Sequence, residues 1–140
     1  MREITPEMVE NATPLELTII NHELLIQAID KGDLQKARDC VAVLYESLNM
    51  DVDFSHDLAG LYVFINVALN RAGYVKDRES LMQATRRVAQ GLMEAWQSIE
   101  PADVERYMEN IGSTLAGLTY GAGGALTEYD DYDPEGGYKI

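Results

Sequence analysis

The sequence has few of the residues that catalysis, metal binding and disulfide formation require. It contains one cysteine, Cys40, and two histidines, His22 and His56, among 140 residues. One cysteine cannot form an internal disulfide, and the three residues do not have the spacing of a zinc site. Gly-x-Ser-x-Gly, Gly-x-x-x-x-Gly-Lys and His-Glu-x-x-His patterns are absent from the sequence. We therefore expect no catalytic residues, no metal and no cofactor, and a function in binding.

Positively charged residues are also scarce. The chain has 11 Lys and Arg against 24 Asp and Glu, which gives a formal net charge of −13 at pH 7. A nucleic-acid-binding protein needs the opposite sign because it must neutralise phosphates. No apolar run approaches the roughly 20 residues of a membrane-spanning helix, and the acidic, interrupted start does not resemble a secretory signal. These features predict a cytoplasmic protein that neither binds nucleic acid nor inserts into a membrane.

The sequence is rich in helical periodicity, which begins with a capping signal. Thr13, Pro14 and Glu16 have the spacing of a capping box with proline at the first helical position, and Gly32 provides the C-terminal stop. Apolar residues occupy nearly the whole circumference between these signals. We expect the first predicted helix to be buried on most of its surface.

Three more helices are predicted by N-cap residues and by apolar stripes with spacings of three and four. The predicted N-caps are Asp33, Ser55 and Asp77. Comparable helices joined by short loops predict an antiparallel four-helix bundle. Truncation of Leu61 to alanine should lower the free energy of unfolding by about 2 to 5 kcal/mol if the residue is in the core. We assign to the core Leu44, Tyr45, Leu58, Leu61, Tyr62, Ile65, Leu69, Leu92 and Trp96.

The C-terminal part of the sequence differs from the helical body. Residues 101–118 carry a fifth apolar stripe, in which Gly112 and Gly117 each cost a helix about 1 kcal/mol relative to alanine. Residues 119–140 are rich in glycine, tyrosine and aspartate and have no periodicity. We therefore predict an all-α fold: a single domain over residues 1–118, with a short fifth C-terminal helix after the four-helix bundle, and a flexible acidic tail over residues 119–140.

The second and third predicted helices carry more apolar residues than one core stripe requires. If the two helices are antiparallel neighbours, the surplus side chains line a groove for an amphipathic helix of a partner. Two alternatives remain open: the fifth helix or the tail covers these positions, or the bundle forms a dimer through them. The predicted partner-binding residues are Cys40, Val43, Ser47, Met50, Val63, Phe64 and Val67.

Several motifs resemble those of a known family in their order and spacing. They are Ala-Thr-Pro-Leu-Glu-Leu at residues 12–17, Leu-Asn-Met-Asp at residues 48–51, and the set Ser55, Leu58, Leu61, Tyr62, Ile65, Asn66, Leu69, Ala72 and Trp96. Over residues 12–99 the chain resembles the FliS family of flagellin export chaperones. The resemblance implies a four-helix bundle without enzyme activity. It also implies that the protein binds the disordered C-terminal segment of flagellin, keeps it unpolymerised in the cytoplasm and delivers it to the membrane-embedded export gate.

The chain departs from the family pattern near its N-terminus. The family usually has Leu-Tyr-Asp-Gly or Leu-Tyr-Asn-Gly in the first helix, whereas residues 21–24 read Asn-His-Glu-Leu, so His22 takes the place of the tyrosine. An Ala-Tyr segment usual at the start of the family is also missing, because residues 1–11 contain no tyrosine. An alternative function is a structural or regulatory homodimer with a non-flagellin partner, which a concentration-dependent mass would favour.

Overall fold

The computed structural model describes residues 2–109 and 111. Within this part of the chain the fold is all-α, as predicted, and β-structure is limited to an isolated bridge between Leu48 and Met108. A 3-10 turn at Pro101–Asp103 directly precedes the last helix. The helices are α1 (Pro6–Glu10), α2 (Pro14–Lys31), α3 (Leu34–Glu46), α4 (Asp53–Arg71), α5 (Arg78–Gln97) and α6 (Val104–Tyr107).

The ends of α2 follow the predicted capping signals. The Glu16 amide donates to the Thr13 hydroxyl at 3.1 Å, and the Glu16 carboxylate accepts from the Thr13 amide at 2.8 Å. Gly32 ends the helix with φ of 76°, a left-handed conformation that glycine adopts without steric cost. Asp33 then caps α3 by accepting from the Lys36 amide. Two residues therefore suffice to reverse the chain between α2 and α3.

Of the other two predicted N-caps, Asp77 is confirmed and Ser55 is wrong. Asp77 accepts from the Ser80 amide at the start of α5. In contrast, α4 begins earlier, at Asp53, with Val52 as an N-cap that makes no side-chain hydrogen bond. The acidic Asp53 in the first turn is favourable beside the positive end of the helix dipole. Ser55 instead lies buried inside the first turn.

The four long helices form a closed ring. Helix α2 packs against α3 and α5, and α4 packs against the same two helices from the other side. Short connections make successive helices antiparallel. Consequently α2 and α4 occupy diagonally opposite corners of the bundle, and their facing sides meet in the core. No helix in the described part of the chain is long and apolar enough to cross a membrane.

The core contains most of the residues assigned to it, with two exceptions. Tyr45 is 45% exposed and Leu61 is 43% exposed, so both core assignments are wrong. Successive helical residues are about 100° apart, which turns Leu61 away from its buried neighbour Tyr62. Truncating Leu61 would leave no cavity, so the large loss of stability expected for a core leucine does not apply. The confirmed core residues are Leu44, Leu58, Tyr62, Ile65, Leu69, Leu92 and Trp96.

A short helix, α6, lies within the predicted fifth apolar stripe over residues 101–118, of which the structure describes residues 101–109 and 111. Helix α6 ends at Tyr107, and Met108 is extended, with φ of −122° and ψ of 130°. The backbone here bonds across the molecule: the Asn49 amide donates to the Tyr107 carbonyl at 2.8 Å. This hydrogen bond gives the backbone carbonyl of Tyr107 a partner at the point where the helix has ended. Residues 110 and 112–140, with the predicted domain boundary at residue 118 and the predicted tail, lie outside the described residues.

Candidate protein-binding surface

The outward side of α4 carries apolar side chains that no segment covers among the residues that the structure describes. Phe64 is 45% exposed and Val67 is 47% exposed, although both are large hydrophobic residues. From residue 58 to residue 70 the helix carries no charge. Contiguous exposed apolar surface is uncommon on monomeric soluble proteins and marks interaction sites. We call this surface the α4 outer face and define it by Gly60, Leu61, Val63, Phe64 and Val67.

The predicted partner-binding residues divide into an exposed and a buried group. The exposed group is Met50, Val63, Phe64 and Val67. The buried group is Cys40, Val43 and Ser47, all on α3 or directly after it. The structure therefore does not bring all seven onto one accessible surface.

Neighbouring segments explain why the α3 group is buried. The side-chain amide of Asn21 on α2 donates to the Cys40 carbonyl at 3.0 Å in a buried hydrogen bond. The backbone amide of Glu109 donates to the Ser47 carbonyl. Thus α2 closes one side of α3, and the chain after α6 closes its C-terminal end. At Ser47 this matches one of the alternatives left open by the sequence, in which the C-terminal part covers the surplus apolar positions.

Tyr107 anchors this C-terminal cover between two helices. Its ring makes edge contacts with Phe54 of α4, at 5.2 Å between centroids, and with Trp96 of α5, at 6.3 Å. The side-chain amide of Asn49 donates to the Arg106 carbonyl at 3.1 Å. The segment following α5 is therefore fixed to the α3–α4 connection, beside the N-terminal end of the α4 outer face.

The corner formed by α2 has a cover of its own, made by the N-terminal segment. The Arg2 guanidinium donates to both oxygens of Glu23, at 2.8 Å and 3.0 Å, and the Arg2 carbonyl accepts from the Gln27 side chain at 2.7 Å. The hydrogen bond to Glu23 raises the pKa of Arg2. Ile4 and Val9 join the hydrophobic core cluster from the same segment. Leu17, Ile20 and Leu24 of α2 are buried in the same core cluster.

A buried hydrogen-bond chain connects α2, α4 and α5. His22 Nδ1 lies 2.8 Å from the Thr18 carbonyl, which can only accept, so this nitrogen donates. His22 Nε2 therefore accepts from the Tyr62 hydroxyl at 2.9 Å, and the Tyr62 oxygen accepts from Trp96 Nε1 at 3.0 Å. Burial lowers the pKa of His22 to about 4 and raises the pKa of Tyr62. The neutral histidine takes a structural part here, because every polar atom of its ring has a partner.

The remaining chemistry-bearing residues do not form a reactive site in the described structure. Burial raises the pKa of the Cys40 thiol to about 12, so the sulfur stays protonated and unreactive. Among residues 2–109 and 111, no group of three or more His, Cys, Asp or Glu side chains could hold a metal ion.

The described residues form a small all-α bundle with an exposed apolar face on α4, and faces of this kind are typical of protein-interaction modules. The family model described as flagellar protein FliS matches residues 5–103, which is more than two thirds of the chain. The chain belongs to the FliS family, as the motif resemblance implied, and this family is one of flagellar export chaperones rather than of enzymes. The match includes α1 to α5 and stops before α6. No curated protein and no solved structure gives a significant match.

Leu61 and Phe54 are surface residues that the sequence pattern did not predict. Both are exposed on α4, where Leu61 adjoins Phe64 at a spacing of three and extends the α4 outer face. The sequence did contain a signal for the position of Leu61. Its spacing of three residues from Phe64 places the two side chains next to each other on the helix surface. The contact of Phe54 with Tyr107 had no local signal, since the two residues are more than 50 positions apart.

Proposed function

We propose that this chain is a cytoplasmic export chaperone that binds the C-terminal amphipathic segment of flagellin through the α4 outer face. The observation that carries the proposal is the uncovered apolar surface of α4 in a chain of the FliS family. An amphipathic helix binds such a surface with its own apolar side. Masking that side prevents the flagellin segment from polymerising before delivery for secretion.

The exposed predicted residues supply the contacts in this proposal. Phe64 and Val67 form the centre, Val63 and Leu61 the flanks, and Met50 an adaptable edge, because methionine repacks readily against varied partners. Ordering a disordered segment opposes part of the contact energy, so the complex dissociates readily at the export gate. The gate is the second partner of the loaded chaperone in this scheme.

The buried predicted residues can take part in client binding only under certain conditions, or indirectly through the core. Ser47 becomes accessible to a client only when the chain around Glu109 leaves the end of α3. Cys40 and Val43 are part of the core cluster and hold α3 in place beneath the surface. A client that displaces the C-terminal segment would therefore gain contacts on α3 in addition to those on α4.

Calorimetric titration with the C-terminal helical segment of flagellin from the same organism tests the proposal. We expect binding near one to one with a negative heat-capacity change, because apolar surface becomes buried. Phe64→Asp should abolish binding while leaving helicity and melting nearly unchanged. The matched control is Tyr74→Asp, since Tyr74 is 87% exposed and lies beyond the end of α4.

Two results would overturn the proposal. One is the absence of heat at several temperatures from a well-folded sample. The other is unchanged binding by Phe64→Asp, which would place the client on another surface. If Phe64→Asp unfolds the protein, Val67→Asp provides the same test at a second exposed position of the α4 outer face.

A further inference from the structure

We infer that two copies of this chain pair through α4, with the two α4 helices antiparallel. Residues 53, 57, 60, 64, 67 and 71 are all exposed, and their spacing alternates between four and three. This spacing places them in one line along a helix and is the spacing of a helix–helix contact line in coiled coils. We call this line the α4 seam: Asp53, Asp57, Gly60, Phe64, Val67 and Arg71.

The charges of the α4 seam are self-complementary. Asp53 and Asp57 lie at its N-terminal end, Arg71 lies at its C-terminal end, and no charge lies between them. Within the part of the chain that the structure describes, none of the three forms an ion pair. When two seams are placed antiparallel about residue 62, Asp53 lies opposite Arg71 of the second copy. Asp57 lies one turn from that arginine, and the two-fold axis repeats the arrangement at the other end.

The centre of the α4 seam is complementary in shape. In the same register, Phe64 of each copy lies opposite Gly60 of the other. A Cβ atom placed on Gly60 would meet nothing within 4 Å, so the surface there is open to an approaching side chain. A large ring facing a residue without a side chain lets two helix backbones approach closely. The helix dipoles also favour an antiparallel arrangement of the two α4 helices over a parallel one.

The pairing should be weak, because one helix per copy buries less surface than a standard stable interface. Each copy also carries a net charge of −13, which opposes association. Sedimentation equilibrium at about 0.15 M salt screens this repulsion beyond about 8 Å and leaves contacting pairs in force. We expect the average mass to rise from monomer towards dimer between about 1 and about 100 µM protein, the range of a transient interface.

Charge reversal tests the antiparallel register directly. Asp53→Lys places two positive charges opposite each other, and Arg71→Glu places two negative charges opposite each other, so each variant alone should stay monomeric. An equimolar mixture restores an attractive pair at both ends and should dimerise as the original chain does. The matched controls are Asp51→Lys and Lys76→Glu, which make the same charge changes at exposed positions outside α4 and should not alter dimerisation.

Oxidative cross-linking checks the register by a second route. Asp57→Cys and Val67→Cys in one chain are about 15 Å apart along the helix, too far for a disulfide within the chain. In the antiparallel register they lie opposite each other between copies, so the double variant should form covalent dimers. Cys40 is buried and should contribute no background. A covalent dimer from Asp57→Cys alone would indicate a parallel pair and overturn the inference.

Three results in sedimentation would also overturn it. They are a monomer at all concentrations, a dimer indifferent to the single reversals, and a mixture that stays monomeric. The inference does not depend on flagellin binding, because the measurements use the chain alone. A chain that stays monomeric but binds the flagellin segment would support the proposed client and refute self-pairing. A chain that dimerises as described but gives no heat with flagellin would refute the proposed client and leave the dimer.

Discussion

The corners of the bundle formed by α2 and α4 start from similar sequences and end in different environments. Both helices are apolar on nearly every side. On α2 the apolar residues Leu17, Ile20 and Leu24 are buried, whereas on α4 the apolar residues Phe64 and Val67 remain exposed. The difference lies in the cover, because the N-terminal segment is fixed to α2 by Arg2.

This comparison shows that an all-round apolar helix needs a cover, which its own sequence does not identify. The Arg2–Glu23 pair joins residues 21 positions apart, and it brings a guanidinium to an otherwise buried carboxylate on α2. At the α4 corner the described residues offer no equivalent partner for the central surface. Helices of similar apolar character are therefore largely buried at one corner and exposed at the other.

The same truncation at both corners should produce the largest difference in stability. Leu24→Ala should lower the free energy of unfolding by about 2 to 5 kcal/mol, because it leaves a cavity in the core. Leu61→Ala, at an exposed position, should cost less than about 0.5 kcal/mol. Denaturant unfolding at about 1 µM protein, where the dimer we infer is dissociated, measures both. Equal losses would show that the two corners are covered alike.

The contribution of His22, which connects the inner sides of α2 and α4, should make the stability of the bundle depend on pH. The pKa of His22 is about 4 in the folded state and 6.5 in a free side chain, so the unfolded chain binds more protons between these values. Stability should be highest above pH 6.5 and fall by about 3 kcal/mol by pH 4 from this group. His22→Gln should remove that component from thermal melts recorded across the range. If the melting temperatures of the original chain and of His22→Gln change equally with pH, His22 does not connect α2 with α4 as described.

A smaller effect tests the hydroxyl that connects α2 with α4 and α5. Tyr62→Phe leaves Trp96 Nε1 and His22 Nε2 buried without their partner and should cost about 1 to 3 kcal/mol. Tyr74→Phe is the matched control, because Tyr74 is largely exposed and its change should be neutral. Chemical denaturation compares the two, and an equal cost would mean that the buried hydroxyl contributes little.

The smallest expected effect concerns the ion pair on the α2 cover. Arg2→Ala should cost at most about 1 kcal/mol, because half of the Arg2 side chain is exposed and solvent screens the pair. The loss should shrink when salt is added. Arg106→Ala provides the control, since its pair with Asp103 is longer, at 3.9 Å, and exposed on both sides. A larger loss for Arg106 would contradict the importance of the N-terminal cover.

The fold was largely predictable because its signals are local. Thr13, Gly32, Asp33 and Asp77 mark helix ends through contacts within a few residues, and the structure confirms each of them. Ser55 failed as an N-cap because an acidic residue two positions earlier begins the helix without a side-chain cap. A local capping signal can therefore still place the predicted start of a helix a few residues away from the observed start.

The surface was less predictable because burial depends on distant segments. Ser47 and Phe64 both belong to surplus apolar stripes, yet the chain near Glu109 covers Ser47 and leaves Phe64 exposed. Helical spacing determines which residues share a side of a helix. Which side receives a cover depends on hydrogen bonds such as that between Asn49 and Tyr107, formed across 58 positions of sequence.

The ring of helices also has a consequence for how the chain folds. Contacts within it join successive helices, and α5 on α2 closes the ring over a long sequence separation. Mostly local contacts give a low contact order, for which folding times of microseconds to milliseconds are typical. During synthesis, α2 to α4 can associate before α5 emerges, but Tyr62 then lacks its bond from Trp96. Completion of α5 is therefore the step at which the nascent bundle becomes fully hydrogen-bonded inside.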